Sequence, residues 1–511
     1  MKMFAAIDVG SYEVSMKIFG ISGKSGVRVI DHIRHRIDMG TETYSTGKLS
    51  YEKVDELCRV LKEYAAIMKS YRVEAYKAYG TSAIREMENK GIVLEQIAQR
   101  TGVTINVLSN SEQRFLDYKS VASEGGTFDK MLAAGTAIVD VGGGSVQISL
   151  FDKGNLTTSQ NVKLGVLRMY ERLCRINAKP SQTEKLLTEL DDAQLEVVSK
   201  LYLKDKKIEN IILVDDYLSA WMQDKTDKER AGYATADEFS GFIKYMRTTS
   251  ISEIANRFKI SEENVRLMFV SAVLLERIMR LTGAGLIWAP GVTLCDGIAY
   301  EYMEQQKLRI SAHDFEKDIL DCALNISKRY MGSRKRAETL EKLTMAIFDG
   351  TKKLHGLGKR ERLYLQLASI LHDCGKYISL VNLGECSYQI IMATEIIGLS
   401  HMEREIVANI VKFNHEDFIY FEELSRRSSL DRQAYLTVAK LTAILRIANG
   451  LDRSHKQKFK DVKVTWKDKE LILTVESDED ITLEKGLFHD RMQFFEEVFN
   501  VRPVIKQKRS Y

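Results

Sequence analysis

Ile7-Asp8-Val9-Gly10-Ser11 and Val139-Asp140-Val141-Gly142-Gly143-Gly144-Ser145 are the two stretches that decide the architecture of this chain. In each, an apolar run ends on an aspartate and a glycine turn begins. Glycine lets backbone N–H groups approach phosphate oxygens with no Cβ in the way, so such a turn can form an anion nest. Asp8 and Asp140 could then hold a hydrated Mg²⁺ or Mn²⁺ between them. A single Asp-x-Gly turn serves equally well as an ordinary hairpin corner. Two of them, each opening a stretch of similar pattern, point to a phosphate-binding cleft between two lobes.

Working outward from the first turn, residues 3–9, 14–21 and 27–37 read as consecutive strands. A helix is predicted over 51–68, a strand over 74–79, a helix over 91–100 and a strand over 105–108. The pattern restarts near Thr136, with strands over 137–141, 146–151 and 156–162. This predicts an α/β fold of two lobes, residues 1–125 and 126–305, each a mixed sheet with flanking helices. Strands disappear from about residue 308, which predicts an all-α domain over 306–455. A small α+β segment, 456–511, closes the chain.

The composition is that of an ordinary water-soluble globular protein, 44% hydrophobic and 29% charged over 511 residues. No apolar run approaches the roughly 18 residues needed to cross a bilayer, so no membrane association is predicted. The opening residues read directly as a strand, which predicts a cytoplasmic protein. Six scattered cysteines without a Cys-x-x-Cys pair predict reduced thiols rather than disulfides or structural zinc. With 75 basic and 71 acidic residues the net charge is +4, too small to predict nucleic-acid binding. Residues 251–265 have the outline of a helix-turn-helix, but without a basic recognition face they read as a core helix pair.

The paired turns resemble those of the actin, hexokinase and sugar kinase superfamily. The segment Gly80-Thr81-Ser82-Ala83-Ile84-Arg85-Glu86 narrows this, being similar to a signature of the exopolyphosphatase / guanosine pentaphosphate phosphohydrolase family. Leu108-Ser109-Asn110-Ser111-Glu112, Leu164-Gly165-Val166-Leu167-Arg168 and Gly291-Val292-Thr293-Leu294-Cys295-Asp296-Gly297 match it in order. The resemblance implies a Mg²⁺- or Mn²⁺-dependent hydrolase with inorganic polyphosphate or guanosine pentaphosphate as substrate, and a homodimer using the helical domain. It implies metal binding by Asp8 and Asp140, and a phosphate cradle of Gly10, Ser11, Ser82, Arg85, Gly142, Gly143, Gly144 and Ser145. Glu112 is implied as the general base.

The sequence departs from the family pattern where Tyr12-Glu13 follow Gly10-Ser11, where Val146-Gln147 follow Ser145, and at Gln113. The second-lobe turn Asp215-Asp216-Tyr217-Leu218 has no glycine and two carboxylates. These departures motivate a rival reading, a catalytically impaired phosphate or nucleotide sensor signalling through its helical domain. A kinase is disfavoured because that altered turn is the one that would meet a nucleoside triphosphate. In the helical region, His372-Asp373 resembles the metal-binding pair of HD-superfamily domains. Arg336 and Asn449 stand where the resemblance would put the other two ligands, so a degenerate site is expected.

Overall fold

Strand β1 (Lys2–Val9) is apolar on both faces, which suits the centre of a sheet better than its edge. In the computed structural model, which describes residues 2–22, 26–204, 206–224, 232–308, 313–459, 461–467 and 469–508, β1 lies there. It is flanked by β2 (Glu13–Ser22), β3 (Gly26–Arg36), β4 (Ala75–Gly80) and β5 (Asn106–Val107), in the order β3-β2-β1-β4-β5. Alternate side chains serve two cores. Ala5, Ile7 and Val9 share one with Val54, Leu57 and Leu61 of the Tyr51–Ser70 helix. Phe4 and Ala6 share the other with Leu116 and Ile298, from the Asn110–Ala122 and Leu294–Gln305 helices.

The second sheet contains β6 (Thr136–Val141), β7 (Val146–Asp152), β8 (Asn155–Val162), β9 (Asn210–Asp215), β10 (Tyr233–Thr235) and β11 (Leu286–Trp288). Its order is β10-β11-β9-β6-β7-β8. The two lobes repeat one connectivity. Asp8 pairs with Ser15 across the first hairpin, and Asp140 with Gln147 across the second. The next strand in each lobe adds in parallel, setting Gly80 beside Val9 and Asp215 beside Val141. The helices Ile251–Phe258 and Glu262–Thr282 contribute Ile254, Val265 and Leu267 to the second-lobe core. They are a core helix pair, as their sequence suggests.

The chain forms two compact units, Met1–Phe315 and Glu316–Tyr511. In the second, helices Arg334–Gly350, Lys359–Leu371, His401–His415 and Arg432–Leu451 precede a small sheet. That sheet is β12 (Val462–Lys467), β13 (Glu470–Glu476) and β14 (Arg502–Lys508), with the His489–Phe499 helix before its last strand. All six cysteines are free thiols. Among the described residues, no helix is long and apolar enough to cross a membrane.

Candidate active site

The two aspartate–glycine turns close with the same hydrogen bond. Gly10 N donates to Glu13 O and Gly142 N to Ser145 O, both at 3.0 Å. Their carbonyls are committed to the protein. Ser11 O accepts from Met39 N (2.9 Å) and Gly40 N (2.7 Å); Gly142 O and Gly143 O accept from Val166 N and Arg168 N, both at 3.1 Å. Arg168 Nε donates to Gly144 O at 2.9 Å. Among the described residues no backbone carbonyl accepts from the N–H of Ser11, Gly143 or Gly144. Fixed carbonyls and uncommitted N–H groups are what an anion nest requires.

Two close approaches explain the glycines. The first turn of the Val166–Arg175 helix crosses the second glycine turn so tightly that a Cβ on Gly165 would lie 2.2 Å from Gly144 C and 2.3 Å from Gly143 O. A Cβ on Gly144 would lie 2.6 Å from Tyr44 Oη and 3.0 Å from Ser82 Oγ. Those two hydroxyls and Ser11 Oγ form a closed triangle with edges of 2.7, 2.7 and 2.8 Å. Ser11, just past β1, and Ser82, just past β4, are thus drawn together against the glycine turn of the second lobe.

Between the turns lies a cavity of about 350 Å³. Its lining includes six carboxylates, Asp8, Glu13, Asp117, Asp140, Asp215 and Asp216, and a single cationic side chain, Arg34. Arg114, buried beneath, donates to Asp140 Oδ2 (3.0 Å), Ser145 Oγ (2.9 Å) and Asn161 Oδ1 (2.7 Å). Asp8 Oδ1 is buried with no hydrogen-bond partner. Burial first, and then the charges of Asp216, Glu13 and Asp140, push the Asp8 carboxyl up to about 8. Burial also raises Asp117 and Asp140, which share a hydrogen bond. A divalent cation fits this set of hard oxygen donors. No ligating cluster of three or more His, Cys, Asp or Glu exists among the described residues. Most of a Mg²⁺ shell here would therefore come from water and substrate oxygens, which that ion accepts readily.

Of the residues expected at the site, Asp8, Gly10, Ser11, Ser82, Asp140, Gly142 and Gly143 line this cavity. Gly144 and Ser145 belong to the turn but not to the lining. Glu112 and Arg85 are also absent from it. Glu112 completes a capping box: Ser109 N donates to its Oε2 at 2.9 Å, and Glu112 N donates to Ser109 Oγ at 3.2 Å. Arg85 Nη1 donates to Leu108 O at 2.8 Å and to Gln113 Oε1 at 3.3 Å. The Asn110–Ala122 helix instead presents Gln113 and, one turn on, Asp117 to the cavity. The i, i+4 spacing of Gln113 and Asp117 was a usable signal in the sequence. Tyr44 gave none.

The departures from the family pattern also acquire positions. Tyr12 donates its hydroxyl to Asn264 Oδ1 at 2.9 Å, tying the first turn to the Glu262–Thr282 helix. Glu13 joins the acidic wall. Gln147 is buried in the sheet, donating to Ser149 Oγ at 3.2 Å and to Ser159 Oγ. At the second-lobe turn, Asp215 Oδ1 accepts from Leu218 N at 2.7 Å and from Tyr217 N. Its Oδ2 accepts from Ser271 Oγ. The N–H groups that could have faced a phosphate are filled by the chain's own carboxylate.

The profile of the Ppx/GppA phosphatase family matches residues 18–306, and that of Ppx/GppA phosphatase domain III matches 321–494. The chain belongs to the Ppx/GppA phosphatase family. A guanosine-5'-triphosphate,3'-diphosphate pyrophosphatase of Vibrio atlanticus is similar to it, 21% identical over 93% of this chain and 92% of its own. The Exopolyphosphatase 1 of Mycobacterium leprae is 29% identical over 28% of this chain and 41% of its own. Among solved structures, an exopolyphosphatase from Cytophaga hutchinsonii overlays at a TM-score of 0.53 and 17% identity. It covers 60% of this chain and all of its own, and shares the fold.

In the part matching Ppx/GppA domain III, His372 and Asp373 lie in a buried polar core. Arg336 is there too, donating to Asn449 Oδ1 at 3.0 Å, with its Nε 3.9 Å from Asp452 Oδ2. The four positions of the expected degenerate site therefore meet, with a guanidinium among them and, among the described residues, no ligating cluster around it. His372 Nδ1 bonds Ser369 O at 2.8 Å, and its carbonyl bonds His415 Nε2 at 2.7 Å. Burial pushes His372 down to about 3 and His415 to about 4. The unfolded chain takes up protons on both below about pH 6.5, whereas the folded chain resists them. Stability contributed by these histidines is present above that pH and lost as pH falls towards 3. Urea unfolding should thus show a falling midpoint between pH 6.5 and 4, shallower in His415→Gln; identical profiles would contradict the assignment.

Proposed function

We propose that this chain is a divalent-metal-dependent phosphoanhydride hydrolase that removes terminal phosphate from inorganic polyphosphate or from guanosine pentaphosphate. The observation that carries this reading is the pair of aspartate–glycine turns facing one cavity, with the N–H groups of Ser11, Gly143 and Gly144 uncommitted. Mg²⁺ or Mn²⁺ held by Asp8 and Asp140 would neutralise substrate charge and polarise the terminal phosphoryl. Without a cation, six carboxylates would repel a polyanion from the cavity. The uncommitted N–H groups orient the terminal phosphoryl oxygens, and Asp117, which the bound cation would return to its carboxylate form, takes the proton of the attacking water. Glu112 holds the start of the helix that carries Asp117. The names of the relatives support the two substrate classes, which present the same terminal phosphoryl. A homodimer and a cytoplasmic location belong to the same proposal through the family resemblance.

A second reading, a catalytically silent phosphate or nucleotide sensor, is favoured by Gln113 in the cavity and by the self-filled turn at Asp215. The test is phosphate release from long-chain polyphosphate and from guanosine pentaphosphate in parallel, with Mg²⁺ or Mn²⁺. Metal-dependent release from either, lost in Asp140→Ala, is the expected result. Binding of both ligands with no release at any metal concentration would overturn the hydrolase and leave the sensor.

A further inference from the structure

A second cavity, of about 770 Å³, lies in the second lobe away from the turns. That volume is ample for a small molecule. Its floor is apolar, with Leu173, Met246, Ile254, Val265 and Val270 all buried, and Tyr170 and Phe269 also line it. Two guanidiniums reach it. Arg247 is neutralised by Glu184, through two hydrogen bonds, and by Glu276. Arg266 is exposed and has no ion-pair partner among the described residues. The lining thus combines aromatic and aliphatic surface with one uncompensated positive charge.

Both cavities share a wall. On the Glu262–Thr282 helix, Asn264 and Met268 line the first cavity, while Val265 and Phe269 line the second. Residues four apart stack on one face, so one helix offers adjacent faces to the two spaces. The same helix holds Tyr12 through Asn264 and Asp215 through Ser271. The Val166–Arg175 helix gives a second link. Its first turn clamps the carbonyls of the glycine turn, and its last residues include Leu173 and Cys174 of the second cavity.

We propose that this second cavity is an effector site for a small organic anion with an apolar, ring-bearing body, coupled to the phosphate turns by these two helices. The apolar body lies over the floor, the ring packs against Tyr170 and Phe269, and the anionic group meets Arg266. Occupancy favours one setting of the Glu262–Thr282 and Val166–Arg175 helices and so biases the turns they hold. The binding site stands by itself; its regulatory consequence rests on the reading of the first cavity given above.

The probe is anilinonaphthalene sulfonate, which carries an aromatic body and one sulfonate. Fluorescence titration of the full chain should give one saturable site that Arg266→Glu weakens about tenfold. Ile251→Trp, which fills the cavity from a half-buried position, should block it. Hydrogen exchange without substrate should slow over residues 142–145, 166–175 and 262–282 when the probe is bound. Equal binding by the wild type and both variants would overturn the site, and binding without a change over 142–145 would overturn the coupling. Because neither readout uses turnover, a chain that releases no phosphate but passes both tests would refute the hydrolase and leave this inference standing.

Discussion

Asp117→Asn should lower phosphate release by about 10²–10⁴-fold, the range that general acid–base groups typically supply, with substrate binding retained. Asparagine has the same shape as aspartate and can still bond Asp140, the neighbour of Asp117 in the cavity wall. The fold around the cavity therefore survives while the proton acceptor is lost. Glu112→Gln should behave oppositely. Its carboxylate faces Ser109 N rather than the cavity, and glutamine can fill the same capping box, so the change removes only a favourable charge at the helix N-terminus, about 0.3–1 kcal/mol. Turnover per folded molecule should stay near that of the wild type. Steady-state kinetics on both variants, beside urea unfolding, separates the roles; a Glu112→Gln chain that is folded and inactive, with an active Asp117→Asn chain, would reverse them.

Arg336→Ala should destabilise the second unit by about 3–5 kcal/mol, the usual cost of removing one partner from a buried charge cluster. Arg336 is 6% exposed, and Asp373 and Asp452 are each 3% exposed. Asp373 Oδ1 and Asp452 Oδ2 already lack hydrogen-bond partners; Lys376 Nζ, 3.4 Å from Asp373 Oδ2, partly compensates Asp373, and the guanidinium is the near cation of Asp452. Deleting it strands Asp452 and leaves Asp373 to Lys376 alone in a core built by four helices. Urea denaturation followed by circular dichroism would report the loss. The double variant Arg336→Met with Asp452→Asn should recover part of it, because the apolar chain restores volume and the amide removes one charge. A single variant as stable as the wild type would show that water reaches this core.

The architecture was legible because its signals are local. Each lobe's hairpin shows as a short apolar run ended by Asp-x-Gly, and a strand needs only a few residues to declare itself. The site was less legible where function depends on how a helix is rotated. Family resemblance pointed to Glu112, yet Ser109-x-x-Glu112 is also a capping-box pattern, and the cap fixes which neighbour faces inward. With Glu112 at the cap, Gln113 and Asp117 turn to the cavity, and Arg114 is buried against Asp140. Tyr44 was invisible for another reason. A tyrosine in a short helix has no periodic partner, and its role appears only when Ser11, Ser82 and Gly144 converge on it. Arg336 and Asn449 were placed by the resemblance, but their direct hydrogen bond is a matter of packing between helices over a hundred residues apart.

The acidic lining of the first cavity bears on how the rate depends on reagents. A metal-dependent hydrolase with this lining would admit its polyanion only as the metal salt and would need a further ion at Asp8 and Asp140, so its rate would follow both the complex and the free metal. Added without matching metal, excess polyphosphate sequesters the ion and stalls the reaction by starvation rather than by competition. At fixed Mg²⁺ the velocity should climb, peak and then decline as substrate is raised, and the peak should move upward in proportion to the metal supplied.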